Sequence, residues 1–176
     1  MRAEGRTGMN YGQAIAALFR MDDETWARHA SPWSVWTRVA TGPLLLLALW
    51  SHVWLGWWAL GPIALVLVWT WLNPRLFPAP RSIDHWAAKA TFGERVWLNR
   101  ANVPIPSHHA KAANILSAVA AIGVLAGVAG ALLNNLAMTL AGGIAGWFAK
   151  MWFCDRMVWL YEDMKDVKPE YRFWHR

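Results

Sequence analysis

The sequence predicts an all-α, polytopic membrane protein with four transmembrane helices arranged as two hairpins, plus short interfacial helices on the cytoplasmic side. Three observations lead there. The 17 Lys and Arg and 11 Asp and Glu side chains all lie outside two stretches, Val39 to Pro74 and Ala112 to Ala149. One crossing takes about 20 apolar residues, so each stretch is too long for a single helix and suits a pair. Apolar residues make up 56% of the chain and charged ones 16%, against about 45–50% and about 25% in soluble domains. Finally, every Lys and Arg falls in one of three segments: up to Arg38, between Arg75 and Lys111, or from Lys150 onward. Four crossings put all three on one side, which the positive-inside rule makes cytoplasmic.

The expected organisation follows these boundaries. Residues 1–31 form a cytoplasmic N-terminal extension, 32–74 the first transmembrane hairpin, and 75–107 a cytoplasmic interfacial loop. Residues 108–153 form the second hairpin, and 154–176 a cytoplasmic helical extension and tail. Within the extension, Tyr11 to Arg20 suits a short amphipathic helix with Ile15, Leu18 and Phe19 on its apolar side. Asp22, Asp23 and Glu24 then suit the positive dipole end of a second short helix running through His29. The first 30 residues lack an uninterrupted apolar core of signal-peptide length.

Ser31-Pro32 is a start signal, a cap followed by proline at the first helical position, and it places the first crossing from Pro32 to about Trp50. Arg38 lies less than two turns inside, where its stem can snorkel to the headgroups. The hairpin is expected to turn near Ser51-His52. Gly42-Pro43 and Gly61-Pro62 are each followed by six aliphatic residues and a tryptophan. Each proline removes a helical hydrogen bond and predicts a kink. Trp33 and Trp36 at one end, and Trp54, Trp57 and Trp58 at the other, suit the two aromatic belts.

In the loop, Asn73-Pro74-Arg75 closes the second crossing, and Pro78, Pro80, Pro104 and Pro106 keep the chain extended. Ser82 is placed to cap a helix carrying Trp86, and Thr91-Phe92-Gly93-Glu94 has capping-box spacing for a second helix bearing Trp97. Both are expected to lie in the interface, with Arg75, Arg95 and Arg100 meeting lipid phosphates. Ser107 is placed to cap the third long helix, which begins His108-His109. The second hairpin is expected to turn near Asn134-Asn135. Gly123-xxx-Gly127 and Gly142-xxx-Gly146 permit close helix packing, within the chain or across a homo-oligomer. The fourth helix is expected to continue past the membrane through Met164, bearing Asp155, Arg156, Trp159 and Glu162.

Met21-Asp-Asp-Glu-Thr-Trp-Ala-Arg-His-Ala-Ser-Pro-Trp-Ser-Val-Trp-Thr-Arg38, Asn73-Pro-Arg-Leu-Phe77, Gly93-Glu-Arg-Val-Trp-Leu-Asn-Arg100, Val103-Pro-Ile-Pro-Ser-His-His109 and Asp155-Arg-Met-Val-Trp-Leu-Tyr-Glu-Asp-Met164 together resemble the DUF6653 family of small bacterial and archaeal membrane proteins. The resemblance runs from about Met21 to Met164, with the preceding residues as an extension. That family has no known function, so the resemblance implies a membrane protein and no activity.

Three classes of function are compatible with the residues. A non-enzymatic accessory or assembly subunit would use the tryptophans and glycine faces to dock on lipids or other membrane proteins. A metal or redox site on the cytoplasmic face would draw on His29, His85, His108, His109, Asp155 and Glu162, although no HExxH, CxxC or Glu-x-x-His pair is present. An interfacial enzyme or carrier for a phosphorylated lipid would hold phosphate with Arg38, Arg95, Arg100 and Arg156, although there is no GxSxG elbow or nucleotide loop. A bound lipid or a metal ion is the expected cofactor class. Membrane lipids are the expected partners, and the basic charge suits anionic headgroups rather than nucleic acid. The lone Cys154 rules out an internal disulfide.

Overall fold

A computed structural model describes residues 21–174. The amphipathic helix expected over Tyr11 to Arg20 and the tail residue His175 lie outside them. The described residues are all-helical, and two stretches are long and apolar enough to cross a membrane. These are Pro32–Leu76, with mean hydropathy 1.6, and Ser107–Leu132, with 2.3.

Helix α1 (Asp23–His29) starts where Asp22 accepts a 2.7 Å hydrogen bond from the Thr25 amide. Asp23 and Glu24 occupy its first turn, at the positive end of the dipole. Helix α2 (Pro32–Val39) begins with proline as expected, but the Ser31 side chain makes no cap bond; only its carbonyl is used, accepting from the Val35 amide. After a break at Ala40 the chain continues as α3 (Thr41–Trp50) in a track of about 28 Å with α2.

Pro43 explains how this track meets the rest of the molecule. Proline has no N–H for the carbonyl four residues back, at Val39. The Trp147 indole supplies the missing donor, its Nε1 donating to the Val39 oxygen at 2.9 Å. Gly42 makes room for it, because a Cβ there would collide with the Trp147 ring. The Gly61-Pro62 echo has no such role. Pro62 sits in the first turn of α5 (Leu60–Leu76), where amides lack helical partners anyway, and Gly61 has open space around it.

The chain does not reverse at Ser51-His52. Ser51 Oγ donates to the Ala48 carbonyl and His52 Nδ1 lies 2.8 Å from the Leu49 carbonyl. Helical structure therefore resumes as the single turn α4 (His52–Leu55). Reversal comes at Gly56, whose φ of 54° suits glycine, and a 3₁₀ turn (Gly56–Ala59) follows with Trp57 and Trp58 exposed at the apex. Helix α5 then runs back until Asn73 is beside α2. Fully buried, Asn73 accepts from Ser34 Oγ at 2.7 Å and donates to Thr37 Oγ1 at 2.8 Å. Pro74 lies inside α5, which ends at Leu76 rather than before the proline.

The interfacial loop departs most from expectation. One helix, α6 (Trp86–Leu98), replaces the two predicted, capped by His85 Nδ1, which accepts from the Ala88 amide at 3.1 Å. Ser82 forms only a turn, accepting from the Asp84 amide. Thr91 is mid-helix and donates to the Ala87 carbonyl. Tertiary packing overrides the local capping pattern: α6 lies against the end of α8, with Gly93 so close that a Cβ would collide with the Met157 backbone. Trp97 is accordingly buried against Phe153 rather than presented to headgroups.

Helix α7 (Ser107–Leu132) starts from Pro106 without a side-chain cap from Ser107. Asn134, at φ 53°, makes the turn, and Asn135 caps α8 (Leu136–Met164) by accepting from the Met138 amide at 3.0 Å. Both helices pack along their length within one chain, with Gly123 on the Gly146 backbone and Gly142 on that of Gly127. Beyond this glycine face, Phe153, Met157 and Leu160 of α8 form a core with Phe92 and Val96 of α6. Tyr171 of α9 (Pro169–Phe173) folds back onto that core, accepting from Asn99 Nδ2 at 2.9 Å.

Two substitutions test this arrangement by reversible unfolding in mixed micelles. Trp147→Phe keeps the ring and orphans the Val39 carbonyl, so it should cost about 1–3 kcal/mol. Gly61→Ala should change stability by less than about 0.5 kcal/mol. Equal effects would refute the asymmetry between the two Gly-Pro pairs.

Candidate functional site

A cavity of about 550 Å³ lies between the two hairpins, within the roughly 300–1,000 Å³ typical of ligand sites. Its deep wall is aliphatic, formed by Leu45, Leu46 and Leu49 of α3 and Val124 and Val128 of α7. Gly143 of α8 contributes no side chain there, and a Cβ on it would strike Leu46. The opposite end is charged. Arg38 of α2, Glu94 of α6 and Lys150 of α8 all line it, with His29 of α1 and Cys154 beside them.

Lys150 Nζ lies 3.1 Å from Glu94 Oε1. Burial opposes ionisation of Glu94, but Lys150 and Arg38 together outweigh it and hold the carboxyl below its ordinary value. The Arg38 side chain, expected to extend toward headgroups, is half-buried with its guanidinium against the His29 ring. His29 is itself buried, with Nδ1 3.3 Å from Ser34 Oγ, so it joins the Ser34–Asn73–Thr37 chain that fastens α1, α2 and α5. Burial first, then the Arg38 charge, holds its pKa well below the ordinary 6.5, leaving a neutral ring.

The remaining predicted residues are not assembled into one set. His85 is the cap of α6, and its Nε2 is buried without a partner. Asp155 accepts from Trp86 Nε1 at 3.1 Å, while Trp86 stacks on Trp36. Glu162 binds Lys89 at 2.8 Å and also pairs with Lys165. Hydrogen bonds donated by Lys89 to Asp84 and Glu162 push its pKa up to about 12. His108 and His109 do approach a carboxylate, that of Asp163, with ligand atoms within 4.8 Å of one another. His109 Nε2 lies 2.8 Å from Asp163 Oδ2, and Arg156 Nη2 is 3.4 Å from Nδ1. An Nε2–H donated to Asp163 and an Nδ1 lone pair facing Arg156 use both ring nitrogens, and the guanidinium adds a positive charge where a metal ion would sit.

The other arginines are also engaged within the protein. Arg95 pairs with Asp23 and lies over the Trp174 ring, and Arg100 lies over Trp97. Arg75 packs on Trp71. Trp33, Trp54 and Trp159 remain exposed. The sequence does not single out Lys150 or Cys154 as site residues, and it offers Glu94 as a helix start and as one of several possible metal-ligating carboxylates rather than as a partner of Lys150. One signal was available: Arg38, Arg75, Lys111 and Lys150 bound the two charge-free stretches, so antiparallel hairpins bring Arg38 and Lys150 to the same end.

The neutral His29 gives a pH dependence of known sign. The unfolded chain takes up this proton near 6.5 and the folded chain only well below that. The stability it contributes is therefore complete above that value and is lost as pH falls below it. The unfolding midpoint in detergent should fall on going from about pH 7 to about pH 5, with His29→Gln flattening that slope. An identical slope in the variant would show that His29 does not carry it.

A family model described as a family of unknown function (DUF6653) matches residues 11–174. The match begins before Met21, so part of the segment read as an extension is common to the family. No curated protein and no solved structure matches the chain. With almost the whole chain covered, the protein belongs to the DUF6653 family.

Proposed function

We propose that the protein is an inner-membrane protein with four crossings, formed by α2–α3, α5, α7 and α8, and with both termini cytoplasmic. In this reading it acts as a non-enzymatic accessory subunit that holds a membrane amphiphile between its hairpins. The observation that carries the proposal is the cavity, aliphatic along α3 and α7 and charged at Arg38, Glu94 and Lys150. That division suits a molecule with a polar head and a hydrocarbon chain. The topology is supported by the fold-back at Gly56 and at Asn134, which leaves Arg38, Arg75, Lys111 and Lys150 at the same end. Helix α8, about 43 Å long, exceeds a hydrocarbon core of about 30 Å, and its excess carries the α6 core.

Reporter fusions at Asn134 and Trp174 test the topology, with an external signal expected at the first and a cytoplasmic one at the second. A cytoplasmic signal at Asn134 would overturn four crossings. Purification in mild detergent should recover a near-stoichiometric amphiphile. Recovery of a tightly bound metal instead would favour the metal or redox reading, and turnover of an added phosphorylated lipid would favour the interfacial enzyme.

A further inference from the structure

We propose that the ligand of this cavity is an anionic phospholipid of the cytoplasmic leaflet, its phosphate held by Arg38 with help from Lys150 and one acyl chain lying along α3. The proposal rests on the amphiphile reading above and specifies it.

Charge balance points to the headgroup. The charged end contains two cations and one carboxylate, and Glu94 is 3.1 Å from Lys150. Among the described residues no carboxylate lies within ion-pair distance of Arg38; its side-chain neighbour is the His29 ring. Arg38 and Lys150 share the single Glu94 carboxylate, which leaves one positive charge in excess at this end, and a monoanionic phosphodiester would neutralise it while matching the planar donor fork of Arg38. Trp97 also lines the cavity; its indole Nε1 has no acceptor among the described residues, and a small turn of the ring would present it to a ligand oxygen.

Depth points to the leaflet. From Arg38 to Leu49 the helical track rises about 16 Å, close to half of a hydrocarbon core of about 30 Å. A chain anchored at Arg38 and lying against Leu45, Leu46 and Leu49 would therefore reach the bilayer midplane. Polyprenyl chains are longer than this wall, and free phosphate would leave the aliphatic wall unused.

Cys154 is the only cysteine and lines the cavity, so the full-length protein carries its own probe. The rate of maleimide alkylation at Cys154 is measured in neutral detergent with added lipid. Phosphatidylglycerol should slow it by roughly tenfold, and diacylglycerol, lacking phosphate, should not. Arg38→Gln should remove the protection and Arg38→Lys should keep part of it. If Arg38→Gln fails to elute as a monodisperse species, Leu46→Trp, which fills the acyl wall and leaves the headgroup site intact, decides instead by weakening protection. Equal protection by phosphatidylglycerol and diacylglycerol would keep the amphiphile cavity and overturn the phosphate anchor. Stronger protection by a polyprenyl phosphate, or equal protection by inorganic phosphate, would overturn the phospholipid assignment. Protection by none of these would overturn both readings.

Discussion

A carbonyl that a proline frees must find another donor within the protein wherever packing shields it from water. Pro43 frees the carbonyl of Val39, and the chain answers with the indole of Trp147, more than a hundred residues away. This bond does more than repair a helix. It sets where the first hairpin meets α8, and Gly42 allows that meeting at ring contact. One turn deeper, Leu46 meets the bare backbone of Gly143. The cavity is lined by these same residues together with Val124 and Val128 of α7.

The two hairpins differ in how they are held. Helices α7 and α8 touch backbone to backbone over the glycine face, and α6 seats Gly93 on Met157 at the end of the same helix. Helix α8 is thus the spine, with one neighbour packed along its apolar half and another on its projecting half. The first hairpin gains far less burial: its most apolar window is 6% buried, against 28% for that of α7. It is fastened at its polar end, by Asn73 to Ser34 and Thr37 and by Trp147 to Val39. A rigid pair and a loosely attached pair leave room between them where two equally packed pairs would close up.

Much of the architecture was legible because charge depletion is a crude signal that survives local detail. The two charge-free stretches and the Asn134-Asn135 reversal follow from it directly, and the glycine spacing pointed to the α7–α8 contact face. The first reversal was misplaced because Ser51 and His52 are polar but bond back to their own helix; only the backbone conformation of Gly56 marks the true turn. The loop was misread for a related reason. Thr91 to Glu94 has the local chemistry of a helix start, yet burying Phe92, Val96 and Trp97 against α8 requires a continuous helix through it. Of the site, Arg38 was singled out and Lys150 was not, and the Lys150–Glu94 pair depends on α6 docking on α8, a contact that no spacing in the sequence encodes.

The same docking changes the meaning of Arg38. On an isolated crossing, an arginine less than two turns from the interface would extend its stem toward the headgroups. Here His29 of α1 sits against the guanidinium, and Glu94 of α6 pairs with Lys150 in the same cavity. A neutral imidazole can accept a hydrogen bond from Arg38 but cannot cancel its charge. The Glu94 carboxylate pairs directly with Lys150 and serves both cations, one too few for two charges. The fold therefore maintains one positive charge in excess at the charged end of an aliphatic cavity. An anion that balances this charge would enter the cavity beside Arg38 rather than bind at the protein surface.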